Sequence, residues 1–320
     1  MKKIALLLMI TFVMLSCVLC ACTSGEELTL YVPDGAPSLA VAKIISDGSV
    51  GGRKVNTVIS VGEDVVAKCA KGEADMAVLP TNAAVKICSD RDDYLLFTVN
   101  VYGILYIMGT QNISTLSQLQ GETLYSIGLG NTPEYVFKKI CDVQNVSYET
   151  NGGVAIKYEA DGSTIIPQVL QGKAKFALLG EPAATNLVNK AASQSKTVYR
   201  LFDLQQLWQQ AVGSNSAGYP QASMIVKKDL LTAKFAKNLL QSLSDNYAFL
   251  RENCDTLNDL MKGTGSSSDV NYTVEILDRC NLTVIKAQDA KADIESYLAT
   301  FSAMQKYLPI SDSIYYEAND

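Results

Sequence analysis

From residue 28 onward, short apolar runs rich in Val, Ile, Leu and Tyr alternate with stretches whose apolar positions recur at helical spacing. The first kind predicts strands over 28–32, 55–61 and 75–79, and the second predicts helices over 37–45, 63–71 and 81–87. Strand and helix in alternation are the signature of an α/β sheet with helices on its faces. The apolar stretch 94–109 is too β-rich for a good helix and is predicted as a crossing strand. Beyond about residue 218 the pattern turns mostly helical. Phe235, Leu239, Leu240, Leu243, Tyr247 and Leu250 keep one helical stripe, and Ala290, Ile294, Tyr297, Leu298, Phe301 and Leu308 keep another. Both stripes face a core. Gly263-Thr-Gly-Ser-Ser-Ser268 between them is a loop by composition and calls for no function.

The pattern also repeats. Gly72-Glu-Ala-Asp-Met-Ala-Val-Leu79 is echoed by Gly172-Lys-Ala-Lys-Phe-Ala-Leu-Leu179, each followed by a polar turn and an Ala-Ala pair, Ala83-Ala84 or Ala183-Ala184. Leu30-Tyr31 leading to Pro37 is likewise echoed by Leu124-Tyr125 leading to Pro133. A spacing of this length is too long for a solenoid and fits two similar α/β lobes. Short Ala-rich matches at strand-to-helix turns also arise by chance.

Composition narrows the function classes. The 320 residues, 48% hydrophobic and 19% charged, have the apolar content for a sizeable core, in about two domains. A net charge of −6 leaves no basic surface for a phosphate backbone, so nucleic acid is excluded as a partner. The absence of histidine removes imidazole from every proton relay and metal site. At the N-terminus, Lys2 and Lys3 precede an apolar run over 4–21, the order of a secretory signal. Leu19-Cys20-Ala21-Cys22 resembles the bacterial lipobox, which implies a signal peptide over 1–21, lipid attachment at Cys22 and a polar tether over 22–27. Two alternatives stand beside it: attachment at Cys17, and an uncleaved membrane anchor, since about twenty apolar residues span a bilayer. Of the remaining cysteines, Cys69, Cys88, Cys141, Cys254 and Cys280, none forms a CxxC pair, and buried small hydrophobes are the default. Cys254 with Cys280 is the one candidate bridge.

Four strand ends run into turns that open helices: Asp34-Gly35-Ala36-Pro37-Ser38, Pro80-Thr81-Asn82, Gly128-Leu129-Gly130-Asn131-Thr132-Pro133 and Gly180-Glu181-Pro182. Proline suits a first helical position. In open α/β sheets ligands bind at the carboxyl ends of strands, and two such edges facing each other make a cleft. Taken singly, each turn is also ordinary helix punctuation, with Asp34 forming a turn and Glu181 stabilised by its helix N-terminus.

The lipobox, the turn at 32–38, Ala74-Asp-Met-Ala-Val-Leu-Pro-Thr-Asn82 and the segment 113–121 before a new strand resemble the extracytoplasmic solute-binding proteins of ABC importers, most closely their nitrate, sulfonate and thiamine-precursor branch. The resemblance implies a two-lobed α/β type II periplasmic-binding-protein fold, each lobe a sheet flanked by helices, joined by two crossing hinge segments. Lobe one would comprise 26–102 plus 222–320 and lobe two 103–221, with hinges at Tyr102-Gly103 and Tyr219-Pro220-Gln221. It implies capture of a small solute by hinge closure, with an ABC permease and its ATPase as partners. The protein would be monomeric, tethered outside the cell, without a cofactor or catalytic residue. Carried onto this chain, Asp34, Gly35, Ala36, Pro37, Ser38, Thr81, Asn82, Asn131, Thr132 and Glu181 would meet the solute, with Tyr102 and Tyr219 as walls near the hinge. Two carboxylates and no arginine in these turns lean toward a neutral or cationic nitrogen compound rather than an oxyanion. A sensor or surface lipoprotein, and an enzyme on the same fold, are the alternatives.

Overall fold

The computed structural model describes residues 27–213 and 218–317, so the leader, with Cys17 and Cys22, lies outside the described residues. Twelve strands run in chain order: β1 (Leu28–Pro33), β2 (Ser49–Val50), β3 (Arg53–Ser60), β4 (Met76–Pro80), β5 (Tyr94–Tyr102), β6 (Leu105–Gly109), β7 (Thr123–Ser126), β8 (Ala155–Tyr158), β9 (Phe176–Gly180), β10 (Tyr199–Asp203), β11 (Pro220–Lys227) and β12 (Leu282–Lys286). They form two sheets, one of seven strands in the order β12-β5-β11-β4-β1-β3-β2 and one of five in the order β10-β6-β9-β7-β8. Helices flank both, giving a two-lobed α/β architecture.

The echoed segments are topologically equivalent. β4 and β9 each pair in parallel with β1 or β7, which pairs in parallel on its other side with β3 or β8. Each also has an antiparallel neighbour, β11 beside β4 and β6 beside β9. Being central, β4 and β9 are covered on both faces, which is why Met-Ala-Val-Leu and Phe-Ala-Leu-Leu-Gly are continuous apolar runs. β1 instead alternates, with Leu28, Leu30 and Val32 turned into the core.

Several expectations are corrected. The stretch 94–109 is two strands in different sheets, β5 and β6, because the backbone turns at Gly103 with φ 59°. The helix expected over 37–45 is two short ones, Ala36–Leu39 and Ala42–Asp47, and the stripe at 235–250 is divided between Ala233–Ser244 and Asn246–Glu252. The region after 218 contributes β11, a central strand, and β12, an edge strand, alongside its helices. All five cysteines of the described residues are free thiols. Cys254, just past the helix Asn246–Glu252, donates back to its Leu250 and Arg251 carbonyls at 3.4 and 3.6 Å, and Cys280 is buried, so the 254–280 bridge does not form. Among the described residues no helix is long and apolar enough to cross a membrane.

The core has three parts. One lies on the outer face of each sheet, and the largest joins the two lobes. At the junction, Trp208 meets Tyr219 and Tyr297 edge-on at 5.4 and 5.5 Å, and Phe301 lies 4.8 Å from both Tyr135 and Tyr297.

Candidate functional site

The chain crosses between the sheets twice, between Tyr102 and Leu105 and again between Asp203 and Pro220. The two crossings touch. A Cβ on Gly103 would lie 3.3 Å from the Gly218 Cα and 2.7 Å from the Gln205 side chain, a distance that only glycine allows. Gln205 ties the crossings together. Its Oε1 accepts from the Leu105 N–H at 2.8 Å and the Tyr219 hydroxyl at 3.1 Å, and its Nε2 donates to the Leu105 carbonyl at 3.1 Å. Gln221 adds a bond from the Ile104 N–H at 3.0 Å, and the Asn281 amide donates to the carbonyls of Tyr102 and Gly103.

In front of these crossings a cavity of about 440 Å³ lies between the carboxyl ends of the parallel strands of both sheets. The first lobe supplies Asp34, Gly35, Ala36 and Pro37 after β1, Ser60 to Asp64 after β3, and Pro80 at the end of β4. The second supplies Ile127, Gly128 and Asn131 to Pro133 after β7, Ala160 to Gly162 after β8 and Glu181 to Ala183 after β9. Each of these ends in a turn that starts a helix, so the convergence follows directly from the alternation of strand and helix in the sequence.

The lobes meet on both sides of the cavity. On one side the Tyr297 hydroxyl donates to Thr132 Oγ1 at 2.9 Å, and the Asn82 amide donates to the Gly130 carbonyl at 3.3 Å. On the other, the Ser267 hydroxyl reaches Ser163 Oγ at 3.2 Å and Asp161 Oδ2 at 3.4 Å, while the Asn186 amide donates to the Asp269 carbonyl at 2.8 Å.

Of the twelve residues expected at the solute, Asp34, Gly35, Ala36, Pro37, Asn131, Thr132 and Glu181 line the cavity. Ser38, Thr81, Asn82, Tyr102 and Tyr219 are placed behind it. The Ser38 hydroxyl donates to the Gly35 carbonyl at 2.8 Å, and Thr81 shares a 2.9 Å bond with Ser223 of the neighbouring strand. Tyr219 is stacked on Tyr297 with centroids 5.4 Å apart, and burial drives its phenol well above the ordinary value. Tyr102 donates to Asp293 Oδ2 at 2.6 Å, and its phenol is raised first by burial and then by that carboxylate.

Both carboxylates expected to greet a solute already have protein partners. Glu181, 2% exposed, pairs with Arg200 Nη1 at 2.5 Å and accepts from the Thr185 N–H and hydroxyl at 3.0 and 2.9 Å. Asp34 accepts from the hydroxyls of Ser266 and Ser268 at 2.8 and 2.9 Å and from the N–H groups of Ser267 and Ser268, both at 3.2 Å. The serine loop read as mere connection therefore closes over the first turn, and Ser267 and Ser268 line the cavity. Nothing local in 263–268 signals this. Neither Arg200, on an edge strand, nor Asp161, in an Asp-Gly-Ser turn with no proline to mark it, stands out in the sequence. Asp161 was nevertheless findable as an N-cap. It accepts from the Thr164 N–H at 3.1 Å, three residues on.

No protein-family model matches the chain, and no curated protein matches it in sequence. Solved structures do. An ABC transporter protein from Parabacteroides distasonis superposes with a TM-score of 0.71 at 18% identity, over 92% of this chain and 100% of that one. The periplasmic aliphatic sulphonate binding protein of Escherichia coli gives 0.63 at 15% identity, over 92% and 93% of the two chains. The zinc-bound ligand-binding component of an ABC-type import system from Staphylococcus aureus gives 0.64 at 10% identity, over 92% and 97%. At such identities the likeness is one of architecture: this chain has the two-lobed type II fold of periplasmic binding proteins.

Proposed function

We propose that the chain is the solute-binding component of an ABC importer. It captures a small organic or nitrogen- or sulfur-containing solute outside the cell by hinge closure and hands it to a permease driven by an ATPase. The observation that carries this is the cavity of about 440 Å³ between the strand ends of two lobes that are joined by two adjacent crossings. Its size is that of a small-molecule site, and its position is where open α/β sheets bind ligands. The printed names of the structural neighbours, an ABC transporter, a sulphonate binder and an import component, are in keeping with it.

The proposed lobes are 26–102 plus 222–320 and 103–221, moving about hinges at Tyr102-Gly103 and Tyr219-Pro220-Gln221. Gly35, Ala36, Pro37, Asn131 and Thr132 form the walls nearest the solute. Asp34 and Glu181 act through their charge and through the loops they hold. Acylation at Cys22 would tether the monomer to the cell membrane by residues 22–27. No bond in the solute is made or broken, and no residue is assigned a catalytic role.

The test is to incubate the full chain, purified in detergent, with a small-metabolite extract and identify what co-purifies by mass spectrometry. The expected outcome is a solute released unaltered, and absent from an Ala160→Trp variant, whose indole would fill the cavity from an exposed loop position. A chemically altered product would show an enzyme instead, and a solute still retained by Ala160→Trp would show that the cavity is not the site.

A further inference from the structure

Resting on the proposed capture function, the lining of the cavity also names the class of solute. Among the described residues five carboxylates line it, from Asp34, Glu63, Asp64, Asp161 and Glu181, and no lysine or arginine does. Glu181 has Arg200 against it. Asp34 and Asp161 are held by hydroxyls and N–H groups, which orient a carboxylate without supplying a countercharge. These two come from opposite lobes and flank a single hydroxyl: Ser267 Oγ lies 3.4 Å from Asp34 Oδ2 and 3.4 Å from Asp161 Oδ2. Closing the cleft therefore brings like charges together with no basic side chain between them.

The features that would hold an oxyanion are compromised at the same time. Helix N-termini attract anions through their open N–H groups, and the helices Gly62–Ala70, Thr132–Gln144, Gly162–Leu170 and Ala183–Ser193 all open on the cavity. Protein carboxylates already take N–H groups at two of these ends, and a third takes a loop N–H just before Thr132–Gln144. Asp161 takes the Thr164 N–H at 3.1 Å, Glu181 takes the Thr185 N–H at 3.0 Å, and Glu134 takes the Gly130 N–H at 2.5 Å. Glu63 and Asp64 add two negative charges to the first turn of Gly62–Ala70. Pro33, Pro37, Pro80, Pro133 and Pro182, five of the chain's eight prolines, also line the cavity, presenting apolar rings where an N–H donor is missing.

We propose that the captured solute is a compact organic cation, an amine or amidine whose charge lies in the field of Asp34 and Asp161 while its carbon body rests on the proline rings, and that the cavity rejects oxyanions. The probes that test this share one ring and differ only in charge: benzylamine, benzyl alcohol and phenylmethanesulfonate. Each is titrated into the full chain in detergent and followed by saturation-transfer NMR. Benzylamine is expected to bind at least about tenfold more tightly than the alcohol, and the sulfonate most weakly, with Asp161→Asn narrowing the gap by about tenfold. Asparagine keeps the helix cap, so the variant should fold. A sulfonate bound as tightly as the amine overturns the inference, as does the absence of binding by all three probes. The same titration on Ala160→Trp separates this inference from the function beneath it. Binding that survives the bulky residue lies outside the cavity and sinks the capture function. A reversed charge order in binding that the bulky residue abolishes sinks only the cation.

Discussion

The Glu181 side chain has no exposed surface, and Arg200, which it faces at 2.5 Å, also lies 4.2 Å over the ring of Tyr106. Taking away one member of such a pair strands the other, so its role is first structural. Glu181→Gln is expected to lower the unfolding free energy by about 3 kcal/mol, the lower end for a broken buried pair because Arg200 is partly exposed. A urea titration reads this, and an unchanged midpoint would mean that the pair contributes nothing. Glu134 sits at the second lobe's cavity loop. Burial alone would raise its carboxyl, but Lys138 at 2.6 Å and the Gly130 N–H bring it below the ordinary glutamate value. A carboxyl lowered in the folded state contributes stability that is fully present above the unfolded value and is lost as the pH falls through the folded one. The melting temperature should therefore drop with acid below about pH 5, and less steeply in Glu134→Gln. Identical pH profiles for the two proteins would refute this.

At the scale of elements, the paired strand-to-helix turns carry the site, and the serine loop completes it from a distance of more than two hundred residues. Its geometry depends on Asp34, whose Oδ2 receives the N–H groups of Ser267 and Ser268. In Asp34→Ala those two amides should lose about tenfold in hydrogen-exchange protection, the equivalent of one hydrogen bond, while amides of β4 stay protected. Retained protection would mean that the loop is held by something else. Period-two alternation made β1 and β3 legible, the short continuous apolar run made β4 legible, and the period of 3.6 did so for the helices after them. β11 and β12 were not legible. Pro220–Lys227 alternates only as far as Met224 before the pair Ile225-Val226 breaks the period, and so short a run becomes a strand only where β4 and β5 offer open edges on either side. The break at Gly103 was equally hidden, because nothing in an unbroken apolar stretch tells which sheet its second half will join.

Across the whole molecule, the lobes are coupled behind the cavity by Trp208, Tyr219, Tyr297, Phe301 and Tyr135. The proposed hinge closure would have to work against or with this cluster, since its members come from both lobes and from one crossing. Truncating Phe301→Ala removes a buried ring in contact with three others and should cost about 3–4 kcal/mol in a denaturant melt. A loss below 1 kcal/mol would mean that the lobes do not share a core. Trp208 is the chain's only tryptophan, so its emission isolates this junction.

Local pattern by itself determined the α/β class, the repeated frame and the strand-to-helix turns. Periodicity and helix-start chemistry act over a few residues, and burying the faces they create admits few arrangements. Only the tertiary structure decided which of those turns reach the cavity, that Thr81 and Tyr219 stand behind it, and that Asp34 and Glu181 are already engaged by Ser266 to Ser268 and by Arg200. Those outcomes rest on contacts between residues distant in sequence, and the hydrogen bonds and charges that satisfy a carboxylate leave no mark on the segment that contains it.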